Sequence, residues 1–143
     1  MEHSAPKSVT SEPVLVGRLL RVLRVGALAA VLSASANALV LAIASSLFGA
    51  IVIPPDGTVT LGQVVGASVA GAVGAAAIFV LAGRFTRRPI RIFWGVAAVG
   101  LLLSFVPIAL AGATGSSAGT LALMHVVAAG TNVGLITTLG RKA

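Results

Sequence analysis

Residues 92–140 read IFWGVAAVGLLLSFVPIALAGATGSSAGTLALMHVVAAGTNVGLITTLG, 49 positions without one charged side chain. A transmembrane helix needs roughly 20 apolar residues, so this run is long enough for two. The Gly- and Ser-rich GATGSSAG at 112–119 marks the loop between them. Two shorter uncharged runs precede it, Val25–Pro55 and Gly57–Gly83, with room for one span each. The spacing predicts spans near 25–48, 63–83, 92–112 and 120–140. Composition points the same way: 57% of the residues are hydrophobic and only 9% charged, against about a quarter charged in a soluble domain. The expected fold class is an all-α membrane protein, a four-transmembrane-helix bundle.

The charges then sort themselves. Lys7, Arg18, Arg21 and Arg24 precede the first span, Arg84, Arg87, Arg88 and Arg91 lie between the second and third, and Arg141 and Lys142 follow the fourth. All ten basic residues fall on one side. The positive-inside rule makes that side cytoplasmic, with both termini inside, in a multi-pass protein of the plasma membrane. The net charge of +7 therefore reads as a topology signal, and no nucleic-acid partner is expected. SASANA at 33–38 resembles a cleavage site, but the apolar run as a whole, 25–55, is too long for a signal peptide's apolar core and the basic region before it is too extended.

Two parts of the chain are distinguished. Residues 1–20 are expected to be a cytoplasmic tail, disordered to interfacial, and residues 21–143 the four-helix membrane domain. Within VLVGRLLRVLR, Arg18, Arg21 and Arg24 recur every three positions and Leu15, Leu19 and Leu23 every four. This spacing suits either a positively charged helix entry or a short interfacial helix on anionic lipid. Between the first two spans, the β-branched IVI and TVTL flank PPDG. They read either as a small extracellular β-hairpin or as an extended loop lying close to lipid.

In the loop GRFTRRPIRIFWG, Arg84, Arg87, Arg88 and Arg91 are candidates for contact with anionic lipid headgroups. Phe93 and Trp94 sit where aromatic rings favour the interface. Pro89 is expected to begin the third helix, where its missing N–H costs nothing. The second span carries two small-residue ridges, Gly66/Ala70/Gly74 and Ala67/Gly71/Ala75, and is expected to be gripped from two sides. Pro107 should kink the third helix, with Ser104 bonding a freed carbonyl.

No cysteine is present, so disulfides, thiolate catalysis, Cys-based zinc sites and iron–sulfur clusters are excluded. No Asp or Glu falls inside a span, which excludes the commonest carboxylate designs of coupled transporters and proton pumps. Bis-histidine haem ligation within one chain would need a second membrane histidine besides His125. No cofactor is expected, and no enzyme activity, because paired carboxylates and nucleophile–base pairs are missing as well.

The informative polar residues are Asn37, His125 and Asn132, a candidate intramembrane polar site. Counted from the expected span ends, Asn37 and Asn132 lie about 16 and 18 Å deep, a shared depth that predicts a direct hydrogen bond. His125 is shallower, near Gln63 and the outer-loop carbonyls. These residues either join helices by hydrogen bonds, each contributing about 0.6–2 kcal/mol, or line an outward-facing polar cavity with His125 as its working group.

The loop RRPIRIFW, the LSFVP turn of the third span and LALMHVVAA opening the fourth resemble an uncharacterised family of small actinobacterial-type integral membrane proteins. The resemblance covers the chain from about residue 20 onward. It implies a four-helix membrane protein and brings no activity. The leading functional expectation is a non-enzymatic structural or interaction protein working with lipids or protein partners, including a second copy of itself. The alternative is a small transporter or channel component with a polar core around Asn37, Asn132 and His125.

Overall fold

A computed structural model describes residues 12–55 and 57–140 of the chain. It is all-α apart from one small hairpin: α1 (Glu12–Phe48), β1 (Val52–Ile53), β2 (Gly57–Thr58), α2 (Leu61–Phe85), α3 (Pro89–Leu110) and α4 (Gly115–Leu139). All four helices contain stretches long and apolar enough to cross a membrane. One end of the bundle carries the hairpin, and the other carries the basic loop between α2 and α3. The helices form a rhomb in which α2 and α4 touch each other, α1 packs most extensively against both, and α3 leans on both more lightly.

Helix limits differ from expectation at two places. α1 starts at Glu12, so the part of the expected 1–20 tail from Glu12 onward is helical and continuous with the first span. Residues 1–11 of that tail lie outside the described residues. α4 starts at Gly115, five residues before the expected 120. Thr114 is its N-cap, with its side chain accepting from the Ser117 N–H. Gly115, Ser116 and Ser117 of this stretch sit in a capped first turn, and Thr114 supplies the acceptor that such a turn needs.

The hairpin expectation holds. β1 and β2 pair antiparallel, with Val52 opposite Thr58 and Ile53 opposite Gly57, around a Pro54–Pro55 turn with a cis peptide bond. Gly57 has φ +91°, a conformation that glycine adopts without a steric penalty. The hairpin is tied down: Ile51 is buried among Leu41, Ala44, Val64, Leu121 and Met124, and the Val52 N–H donates to Ser117 Oγ at 3.1 Å. A capping box of Thr60 and Gln63 starts α2 immediately afterwards.

Pro89 opens α3 as expected. α3 also runs unbroken through Pro107, which lies in its last turn, where little helix remains to be bent. Ser104 Oγ donates to Leu101 O at 2.6 Å rather than to Leu103, whose carbonyl Pro107 leaves without its usual donor.

Three layers make the interior. At the basic end Val22, Val25, Ala76, Phe79, Phe93, Val133 and Ile136 cluster, with Phe79 and Phe93 edge to face at a centroid distance of 5.4 Å. At the hairpin end lies the cluster around Ile51 and Met124. Between them the buried apolar residues are Ala29, Ala30 and Ala72. Bulky layers at both ends and alanine in the middle hold α1 tightly on α2, and leave space on the far side of α2.

Candidate functional site: a crevice between α2, α3 and α4

That space is a crevice of about 690 Å³, bounded by α2, α3 and α4, with Asn37 of α1 in its wall and Ile53, Gly57 and Val59 of the hairpin segment at one end. Phe93 borders it at the other end, inside the Phe79–Phe93 layer. Its α2 wall includes Ala67, Gly71, Gly74 and Ala75. These belong to the small-residue ridges expected to grip neighbouring helices. The close contact with α1 is made by another face of α2, on which Ala72 and Ala76 are buried, with Val64 and Ser68 of the same helix buried at the rim of the crevice. A Cβ added at Gly26 of α1 would meet Ala76 Cβ at 3.2 Å, whereas one added at Gly74 would meet nothing within 4 Å. Periodicity identifies small faces, but it does not say which one the partner helix matches. The legible counterpart was on α1, where Gly26/Ala30 and Ala29/Ser33/Asn37 recur at spacing four.

All three candidate polar residues line this one cavity: Asn37, His125 and Asn132. The expected Asn37–Asn132 bond is absent. Asn37 Nδ2 donates instead to Ser68 Oγ at 3.1 Å, and the nearest heavy atom to a Cβ built on Gly71 is Asn132 Nδ2 at 3.9 Å. Asn132 is thus level with Gly71, three residues beyond Ser68, about 4.5 Å further toward the basic end. α4 starts five residues earlier than expected, so Asn132 lies deeper along its helix than a start at 120 implies, in the direction of the offset.

Asn37 and Asn132 are each 5% exposed, and the Oδ1 atoms of both are buried without a hydrogen-bond partner. An unpartnered buried polar atom costs about 1–3 kcal/mol, so these two amides stand out in a wall that is otherwise mostly apolar. His125 is half-buried, and its Nδ1 lies 2.8 Å from Leu121 O. A carbonyl oxygen only accepts, so this contact places a proton on Nδ1, and in the neutral ring Nε2 is then an acceptor. Gln63 does not reach His125: its side-chain oxygen accepts from the Thr60 N–H at 2.8 Å. Ser33, fully buried, donates to its own helix at Ala30 O.

The four candidate headgroup arginines lie elsewhere. Arg84, Arg87, Arg88 and Arg91 are exposed around the α2–α3 turn, and Arg87, Arg88 and Arg91 border a shallow depression with Pro89 and Ile90. Arg88 N–H donates to Thr86 Oγ1 at 2.9 Å, which shapes the turn. Among the described residues no group of three or more His, Cys, Asp or Glu side chains is placed to hold a metal ion.

A family model described as a family of unknown function, DUF6069, matches residues 17–143. No curated protein and no solved structure matches the chain.

Proposed function

The chain belongs to the DUF6069 family of unknown function, and from its geometry we propose a non-enzymatic membrane protein that works by admitting a lipid-like molecule between its helices. The observation that carries this reading is the crevice itself. About 690 Å³ of space falls within the usual range of small-ligand sites, and its walls are largely hydrocarbon. α3 forms one wall while burying only Phe93 among its side chains, so it is the least committed of the four helices.

In this reading the basic end faces the cytoplasm of a plasma-membrane protein, following the positive-inside rule. Arg84, Arg87, Arg88 and Arg91 then meet anionic headgroups of that leaflet, each such residue contributing about 1 kcal/mol near the surface. Reporters fused after Ala143 should be active in the cytoplasm, and reporters at 54–58 outside. A C-terminus found outside would contradict this orientation.

Purification in mild detergent followed by native mass spectrometry tests the main reading. One retained lipid-like molecule per chain is expected, and the same spectrum reads the number of chains. A second reading, a small transporter component, is supported by Asn37, His125 and Asn132 lining one cavity. It predicts solute flux in proteoliposomes that Asn132→Leu abolishes, whereas the binding reading predicts no flux.

A further inference from the structure

We propose that the crevice recognises a neutral amphiphile: one hydrocarbon chain carrying a hydroxyl or amide head, held by Asn132 and Asn37 with His125 beside them. The inference rests on the reading of the crevice as a lipid-accepting site and names the chemistry of its occupant. Three observations select that chemistry. Among the described residues no Asp, Glu, Lys or Arg lines the cavity, so a charged head lodged there would meet no fixed counter-charge in a medium of low dielectric constant. Asn132 makes no side-chain hydrogen bond and Asn37 leaves its oxygen unpartnered, although both are nine-tenths buried. His125 Nε2 is a further acceptor in the same cavity.

Unused donors and acceptors therefore stand side by side: the Asn132 and Asn37 oxygens and His125 Nε2 accept, and the Asn132 amide N–H groups donate. A head that only accepts, such as an ester, would answer the N–H groups and leave the two buried oxygens unpartnered. A hydroxyl or amide both gives and accepts, and it suits the asparagines in either orientation of their amides. Asn37 and Asn132 differ in depth by about one helical turn, and His125 lies two turns from Asn132 toward the hairpin, about 10 Å. The polar groups thus form a short ladder along the cavity, Asn37 from α1 and Asn132 and His125 from α4, with apolar wall around it for the chain.

The test uses the full-length protein in detergent and probes sharing one oleoyl chain: monooleoylglycerol, which donates hydrogen bonds; methyl oleate, which only accepts; and oleate, which is charged. Competition is read by native mass spectrometry, and thermal unfolding gives an independent readout of binding. Monooleoylglycerol should bind about tenfold tighter than methyl oleate, the factor that corresponds to one net hydrogen bond, and oleate should bind more weakly than monooleoylglycerol. Asn132→Leu should erase the preference while retaining methyl oleate, and Asn132→Ala serves if the larger side chain impairs folding. Equal binding of the two neutral probes to the parent, or a preference unchanged by both Asn132 variants, overturns this inference and leaves the lipid-accepting crevice standing. Failure of every probe to bind removes both.

Discussion

Along α2, the face made by Ala72 and Ala76 is sealed against α1, whereas the neighbouring face made by Ala67, Gly71 and Ala75 lines the crevice. Both faces are built from small residues at spacing four. The difference lies in what stands opposite. α1 offers Gly26, Ala29, Ala30 and Ser33, so two small surfaces meet and the backbones approach closely. α3 offers Val96, Gly100 and Leu101, but Phe93 is wedged at its basic end beside Phe79, and Ile108 packs on the hairpin layer at the other end. Small residues allow close approach; bulky residues at both ends of α3 prevent it.

Substitutions can break this contrast in order of size. Phe93, only 1% exposed, holds α3 through the basic-end layer. Phe93→Ala should cost about 3–5 kcal/mol, read as a large fall in the thermal unfolding midpoint in detergent. Retained stability would mean that α3 is anchored elsewhere. Next comes the seam itself. Ala72 has no exposed surface, and Ala72→Leu should cost about 1–3 kcal/mol by overpacking. Gly74→Leu, pointing into the crevice, should cost under about 0.5 kcal/mol while filling space and weakening ligand retention. Equal costs at the two positions would erase the distinction between seam and crevice.

The smallest effects separate the two asparagines. Asn37→Leu removes the bond to Ser68 and should cost about 0.6–2 kcal/mol. Asn132→Leu removes an amide that has no partner and should leave the stability of the empty protein unchanged or slightly raised. If Asn132→Leu destabilises as much as Asn37→Leu, Asn132 joins helices rather than serving the crevice.

Much of this molecule was legible in its sequence, because in a membrane charge is sharply excluded. The gaps between charged residues, with the Gly- and Ser-rich break in the longest of them, located four helices; PPDG between β-branched residues offered the hairpin as one of two readings, and Pro89 marked the start of α3. The polar residues gathered in one cavity were also visible as the few hydrogen-bonding side chains in apolar runs. What the sequence left open was alignment. Asn37 meets Ser68 rather than Asn132 because helix depth depends on where each helix starts, and a capped turn at Thr114 moved that start for α4. Nor could periodicity choose between the small faces of α2, since the choice rests on the shapes of two other helices.

The central claim is that α2 is closed toward α1 and open toward α3, and paired-cysteine crosslinking tests it directly because the native chain contains no cysteine. A disulfide requires Cβ atoms about 3.5–4.5 Å apart. Gly26→Cys with Ala76→Cys lies across the seam, where a Cβ at position 26 already comes within 3.2 Å of its neighbour. Ala75→Cys with Val96→Cys lies across the crevice. In membranes under mild oxidation the first pair should crosslink rapidly and the second should stay reduced. Rapid crosslinking of the second pair, at a rate matching the first, would show α3 closed on α2 and would contradict the account.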